Sequence, residues 1–251
     1  MMLSGGQELL LCLAGLGAGF VNGAAGGGTL ISFPALLAVG YPALTANVTS
    51  TVGIWSGYLG GSAGFRKEVR DQSGRVRSLA PTVVTGGVLG GVLLLTTPSH
   101  AFAVLAPYLL LGACLLFALQ PLLSRHLRDR GAARRTHSAL LHTGVFVASV
   151  YGAYFGAGLG VVLLAVLGTA LAEPLVRVNG LRSVMALIVN TVAVLIFVAK
   201  AHVAWLAAGL MVGCALAGGY AGARVARRVP TNLLRVLIIA IGLASAIDLL
   251  V

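Results

Sequence analysis

Apolar residues run almost without interruption along this chain, and the gaps between runs are filled by glycine, proline and short basic stretches. Ten apolar segments result, at about 7–23, 28–40, 43–64, 78–97, 101–122, 139–157, 160–172, 175–198, 203–223 and 232–250. A helix needs ~20 apolar residues to cross a bilayer, and all but the second and seventh segments approach that length. Each of those two short segments follows a glycine cluster. With its predecessor it forms a tight hairpin, a re-entrant pair or one broken helix. The pattern predicts an all-α integral membrane protein.

Composition sharpens this reading. Hydrophobic residues make up 58% of the chain and charged residues 9%, against roughly 25% charged in a soluble globular domain. The net charge of +11 does not point to nucleic acid. The basic residues sit in short loops between apolar runs, as in the cytoplasmic loops of membrane proteins. The lipid bilayer is the expected partner, and no nucleic acid is. Met1 to Gly6 lacks the basic stretch of a signal peptide, so the first apolar segment is expected to stay. Cys12, Cys114 and Cys214 lie in separate apolar segments without metal or redox spacing, and read as inert thiols. The five histidines show no metal spacing either, so neither metal nor cofactor is expected.

Displacing the sequence against itself by 132 residues gives an ungapped match. Ala25-Gly26-Gly27-Gly28 falls on Ala157-Gly158-Leu159-Gly160, Pro42 on Pro174, Asn47 on Asn179 and Phe65 on Phe197. Gly86, Gly87 and Gly90 fall on Gly218, Gly219 and Gly222, and Pro98 on Pro230. Glycine, proline and asparagine carry the match because they set backbone shape. The chain reads as two repeats of about 132 residues, each of about five apolar segments including a Gly-broken hairpin. Residues 1–122 form the first transmembrane repeat, 123–138 a basic cytoplasmic linker and 139–251 the second repeat.

Loop charge bears on how the repeats are related. The loop from Arg66 to Arg77 holds five basic residues, and its counterpart only Lys200 and His202. The uncharged loop Thr96-Thr97-Pro98-Ser99 corresponds to one with Arg224, Arg227 and Arg228. The linker adds Arg125, Arg128, Arg130, Arg134 and Arg135. If positive loops stay inside, each repeat crosses an odd number of times. The repeats are then inverted, a common secondary-transporter plan.

The run Phe20-Val21-Asn22-Gly23-Ala24-Ala25-Gly26-Gly27-Gly28-Thr29, followed by Pro34-Ala35-Leu36-Leu37 and Ala46-Asn47-Val48-Thr49-Ser50, resembles the first half of the sulfite exporter TauE/SafE family. Gly218-Gly219-Tyr220-Ala221-Gly222, with Ala226-Arg227-Arg228-Val229-Pro230, resembles the end of that family's second half. The likeness runs over nearly the whole chain. It implies a multi-pass permease or exporter of the bacterial inner (cytoplasmic) membrane, carrying sulfite, sulfonates or related sulfur-containing anions. The second half departs from the pattern: Leu181-Arg182-Ser183 stands where the first has Thr49-Ser50-Thr51.

The residues themselves suggest a binding chemistry. Irregular backbone survives at membrane depth only inside protein or beside a wet cavity. Gly26, Gly27 and Gly28 in one half, and Gly156, Gly158 and Gly160 in the other, invite such a break. A helix restarting after a break points free N–H groups and a positive dipole end at the cavity, which suits an anion. Close helix packing is the plainer use of glycine, and is the reading for Gly86, Gly90, Gly218 and Gly222. Asn47 and Asn179, paired by the repeat, serve as caps or as amide donors. Thr49, Ser50 and Ser183 add hydroxyls, although such hydroxyls often bond their own helix. Arg182 is the sharpest residue, a charge inside an apolar segment that binds an anion, snorkels to the interface or pairs with Glu173.

No nucleophile–base set marks an enzyme. No carboxylate pair marks a proton path, so a coupling proton or sodium ion and a homodimer stay open. The expectation is a secondary transporter of a small anion bound near the midplane between the repeats. Carriage of a cation or neutral solute, or a non-transporting role as a membrane assembly partner, is the alternative.

Overall fold

The computed structural model describes residues 3–129, 138–225 and 231–250, and among these it is helical with no strand. The helices are α1 (Gly5–Ala24), α2 (Thr29–Ala38), α3 (Ala43–Gly64), α4 (Arg66–Arg70), α5 (Ser73–Thr96), α6 (Ser99–Asp129), α7 (Ser138–Tyr154), α8 (Leu159–Ala170), α9 (Leu175–Lys200), α10 (Trp205–Val225) and α11 (Thr231–Asp248). Ten of them follow the ten apolar segments. The eleventh, α4, is a short turn inside a basic loop. One boundary differs: α6 continues to Asp129, well into the stretch 123–138 read as linker. Its last residues are polar, but nothing in them forbids the helix, and hydropathy marks where lipid ends rather than where a helix does.

Local chemistry starts and stops these helices. Ser4 and Gln7 form a reciprocal cap on α1: the Gln7 N–H donates to Ser4 Oγ (3.4 Å) and the Ser4 N–H to Gln7 Oε1 (3.0 Å). Pro42 and Pro174 precede α3 and α9 with φ of −57° in both, where a missing N–H costs no helical bond.

Among the described residues five helices are long and apolar enough to cross a membrane: α1, α5, the Ser99–Leu123 part of α6, α9, and the Trp205–Arg224 part of α10. Side chains are distributed to match. Leu9, Leu13, Leu105, Leu115 and Leu195 are exposed on the outside, while Asn22, Ser50, Arg182 and Asn190 are buried. Such an apolar exterior would aggregate in water; it suits a hydrocarbon solvent. Helix α3 has the opposite character. It is rich in Gly, Ser and Thr and buried along most of its length, so it forms the centre.

Contacts fix the helix directions. Gly17 lies beside Ile31 and Gly28 beside Ala18, so α2 folds back along α1. Gly144 lies beside Val166 and Gly152 beside Leu159, so α8 folds back along α7. Helices α3 and α10 run in the same direction, with Gly53 against Met211, Gly57 against Ala215 and Gly64 against Ala223. So do α5 and α7, with Gly86 against Phe146 and Gly90 against Val150. Helix α5 also runs with α9, through Gly87 against Val192 and Gly91 against Ile196. Helices α3 and α9 run oppositely: Ser62 meets Ser183, Trp55 meets Thr191, and Thr49 meets Ala204 beyond the end of α9.

Glycine sets the closeness of the first groups. A Cβ on Gly19 would strike the Ala215 backbone, and one on Gly219 the Gly57 carbonyl. The glycines Gly86, Gly90, Gly218 and Gly222 are packing residues of this kind, since small side chains let helices approach in lipid.

At one end, Glu173 binds Arg75 of α5 (2.7 Å) and Arg177 of α9 (2.8 Å). The hydrogen bond from Arg75, with the charge of Arg177, holds its carboxyl below the usual carboxylate range.

Replacing Gly219 by Val should destabilise the protein in detergent by at least ~2 kcal/mol through overpacking. Gly213→Ala, where a Cβ meets nothing within 4 Å, should leave the thermal unfolding temperature unchanged or slightly raised, since alanine favours a helix interior. Glu173→Gln should cost ~1 kcal/mol or less at neutral pH, because both arginines are partly exposed. A carboxyl whose folded pKa is depressed stabilises above its unfolded value, 4.5, and that contribution is lost as the pH falls. The mutant and wild-type unfolding temperatures should therefore converge below that pH.

Candidate functional site

Both hairpins turn at glycine, and the two turns touch. The chain leaves α1 through Gly26 at φ +81° and leaves α7 through Gly156 at +78°, torsions that a side chain disfavours. Ala25 and Gly26 both donate to the Val21 carbonyl, and Phe155 and Gly156 both donate to that of Tyr151. Helix α2 begins after Gly28 and α8 after Gly158. The match at the breaks is thus displaced by 130 residues (156 − 26), not 132. The alignment of Gly26 with Gly158 and Gly28 with Gly160 is corrected by two residues. The reason is that α8 is two residues longer than α2, 12 against 10, which restores the larger displacement by Pro42 and Pro174.

The contact between the turns is backbone on backbone. The Gly160 N–H donates to the Gly26 carbonyl at 3.0 Å. A Cβ on Gly26 would lie 2.5 Å from the Gly160 Cα. Gly27 faces the ring of Phe117. The Gly28 N–H donates to Asn22 Oδ1 at 2.7 Å. The expectation that the restarting helices leave N–H groups free is therefore corrected at Gly28 and Gly160. Their donors are taken, because a bare amide at this depth costs too much to leave unmatched.

Arg182 closes the junction. It comes from α9, is 1% exposed, and donates from Nη1 to the Ala25 carbonyl (2.5 Å) and, more weakly, to that of Gly160 (3.5 Å). One guanidinium thus bridges the break of each hairpin. It does not pair with Glu173, which is held by Arg75 and Arg177. Its Nε is buried with no hydrogen-bond partner, and so is Nδ2 of Asn22. Buried Tyr58 on α3 lies near Asn190, Asn22 and Thr29, and within the field of Arg182. This polar nucleus draws on α1, α2, α3 and α9.

Other expected residues lie elsewhere. Asn47 Nδ2 donates to the Tyr154 carbonyl at the end of α7 (3.0 Å), which makes it a cap on the second break. Thr49 Oγ1 accepts from the Ala204 N–H (3.1 Å) and so ties α3 to the start of α10. Ser50 bonds Ser32 of α2 at 2.6 Å, and Ser183 bonds Ser62 at 3.3 Å. Gly158, at φ +75°, caps α8. Asn179 is half-buried in the first turns of α9, away from the junction bonds. Tyr58, Asn22, Thr29 and Asn190 were not singled out as site residues. Asn190 carried a signal, a lone amide within a long apolar run. Asn22 and Thr29 stood in the glycine-rich run itself.

Among the described residues no group of three His, Cys, Asp or Glu could hold a metal ion. The family profile described as "Sulfite exporter TauE/SafE" matches residues 11–249. A protein of Haemophilus influenzae named "Probable membrane transporter protein" is 26% identical over 234 residues, covering 92% of this chain and 89% of the relative. One of Sinorhizobium sp, "Probable membrane transporter protein ORF9", is 27% identical over 253 residues, covering 96% and 91%. No solved structure matches the chain. With a match that begins in α1, ends beyond α11 and so takes in both broken hairpins, the chain belongs to the sulfite exporter TauE/SafE family and is a multi-pass membrane transporter.

Proposed function

We propose that this chain is a secondary transporter of a small anion, such as sulfite, a sulfonate or a related organic anion, held where the two hairpin turns meet. One observation carries this reading: a buried guanidinium bridges both breaks with no carboxylate beside it among the described residues, and its Nε and the nearby Asn22 Nδ2 are spare donors. A buried cation without a counter-charge is costly, and an anion would supply one. A cation would instead need carboxylates or free carbonyls. The Ala25 and Gly160 carbonyls are already taken by Arg182.

The inverted architecture belongs to this proposal. Helices α3 and α9, counterparts under the 132-residue displacement, run antiparallel. Contacts also come in matched pairs: α1 with α10 and α7 with α5, then α3 with α10 and α9 with α5. The helix ends joined by the basic connections α3–α5, α6–α7 and α10–α11 then fall on one side. The positive-inside rule makes that side cytoplasmic, in a bacterial inner membrane. Residues 130–137 and 226–230 of those connections lie outside the described residues. The Gly28 and Gly160 amides are already bonded within the protein, so the solute is held by the remaining donors of Arg182 and Asn22.

Flux into proteoliposomes, measured for sulfite, sulfonates and small carboxylates with and without a pH gradient, tests the reading. Arg182→Gln should lower anion flux at least tenfold with the protein still inserted, and Arg182→Lys should recover only part, because ammonium lacks the planar fork. Unchanged flux in Arg182→Gln would remove the arginine from the site. Single cysteines at Arg70 and His202, counterparts under the 132-residue displacement, in a background lacking the three native ones, should label from opposite sides. Labelling from one side would reject the inversion.

A further inference from the structure

We infer that Asn22 contacts the transported solute directly, and that with Arg182 it forms a clamp for a singly charged oxyanion in preference to a doubly charged one. The inference rests on the anion reading above and names the solute class of the same site.

Asn22 is 5% exposed and has two polar atoms with different fates. Oδ1 accepts the Gly28 N–H at 2.7 Å, which fixes the orientation of the amide. Nδ2 is thereby turned into the polar nucleus, where it has no partner. Arg182 spends Nη1 on the break carbonyls and keeps Nε unbonded. The two spare donors arise on different helices, α1 and α9, and Tyr58 neighbours both residues. Buried donors are rarely left bare, since each forfeits its hydration for nothing. Two of them near one hydroxyl suit a group that only accepts, with at least two acceptor oxygens.

Charge limits the choice further. Among the described residues, Arg182 is the one charged side chain that is fully buried. One positive charge neutralises a monoanion such as a sulfonate, hydrogen sulfite or carboxylate. A dianion would carry a net negative charge into the same low-dielectric place, at a cost of several kcal/mol.

The test uses the full chain in phosphatidylethanolamine/phosphatidylglycerol vesicles, with methanesulfonate and sulfate as probes. They share the sulfur–oxygen geometry and differ in charge. Methanesulfonate should enter at least tenfold faster than sulfate at equal concentration. Asn22→Asp keeps the acceptor for the Gly28 N–H but replaces the spare donor with a carboxylate beside Arg182. It should lower methanesulfonate flux at least tenfold with an unfolding temperature equal to or above wild type, a pairing of results that loss of a merely structural amide would not give. Asn22→Ser, neutral and lacking the amide donor, should also lose flux and covers the case in which the aspartate variant fails to fold. Equal rates for the two probes, or wild-type methanesulfonate flux in a folded Asn22 variant, would overturn the inference and leave anion transport standing. If neither probe moves in wild type while a cation or neutral solute does, anion transport itself falls, and the clamp with it.

Discussion

A peptide group that leaves a helix inside a bilayer finds no water, so it must be matched by protein or the break cannot exist. This chain breaks twice among buried residues, and the two breaks complete each other in part. Gly26 offers its carbonyl to the Gly160 amide, Ala25 and Gly160 offer theirs to Arg182, and Gly28 is capped by Asn22. Neither hairpin is satisfied alone. The demand that brings the halves together also explains why the turns are glycine: backbone must touch backbone, and a Cβ on Gly26 or Gly160 has nowhere to go.

The same junction collects an imbalance. Arg182 is desolvated, which costs several kcal/mol for an ion of this kind. Carbonyl dipoles and the C-terminal end of α1 offset part of that. Among the described residues no carboxylate completes the pairing, and Asn22 and Arg182 each hold back a donor. A fold under selection for stability alone would place an acid there or remove the arginine. Keeping an uncompensated positive centre at depth is the usual mark of a site that waits for a partner.

Two kinds of interface surround it. Helices α1, α3 and α10 interlock through glycines whose missing side chains are mostly filled by neighbouring backbone, and α5 meets α7 in the same way through Gly86 and Gly90, while α9 sets the side chains of Val192 and Ile196 against Gly87 and Gly91 of α5. Between these groups, α3 and α9 meet through hydroxyls and an indole: Ser62 with Ser183, and Trp55 with Thr191. Hydrogen bonds of this sort can be exchanged for bonds to a solute or water at little net cost. Interlocked backbone has no such alternative. The polar seam and the junction lie together, so the part of the molecule best able to rearrange is the part that holds the guanidinium.

Hydropathy alone was enough to locate the ten long and short apolar helices and the glycine breaks, because lipid selects apolar residues one position at a time and glycine and proline act on their own backbone. Arg182 was legible for the same reason, as a charge where lipid tolerates none. The five-residue α4 and the polar end of α6 were not, since neither faces the hydrocarbon core. Nor was the two-residue shift between the breaks, because Gly26 and Gly156 are equated by torsion angle and hydrogen bonding rather than by residue type. Partnerships belonged wholly to the tertiary structure. Nothing local says that Asn47 caps Tyr154, that Thr49 meets Ala204, or that Arg182 reaches back 157 positions to Ala25. An orphaned backbone group takes whichever donor the packing of distant helices brings within 3 Å or so, and that is decided only when the two halves meet.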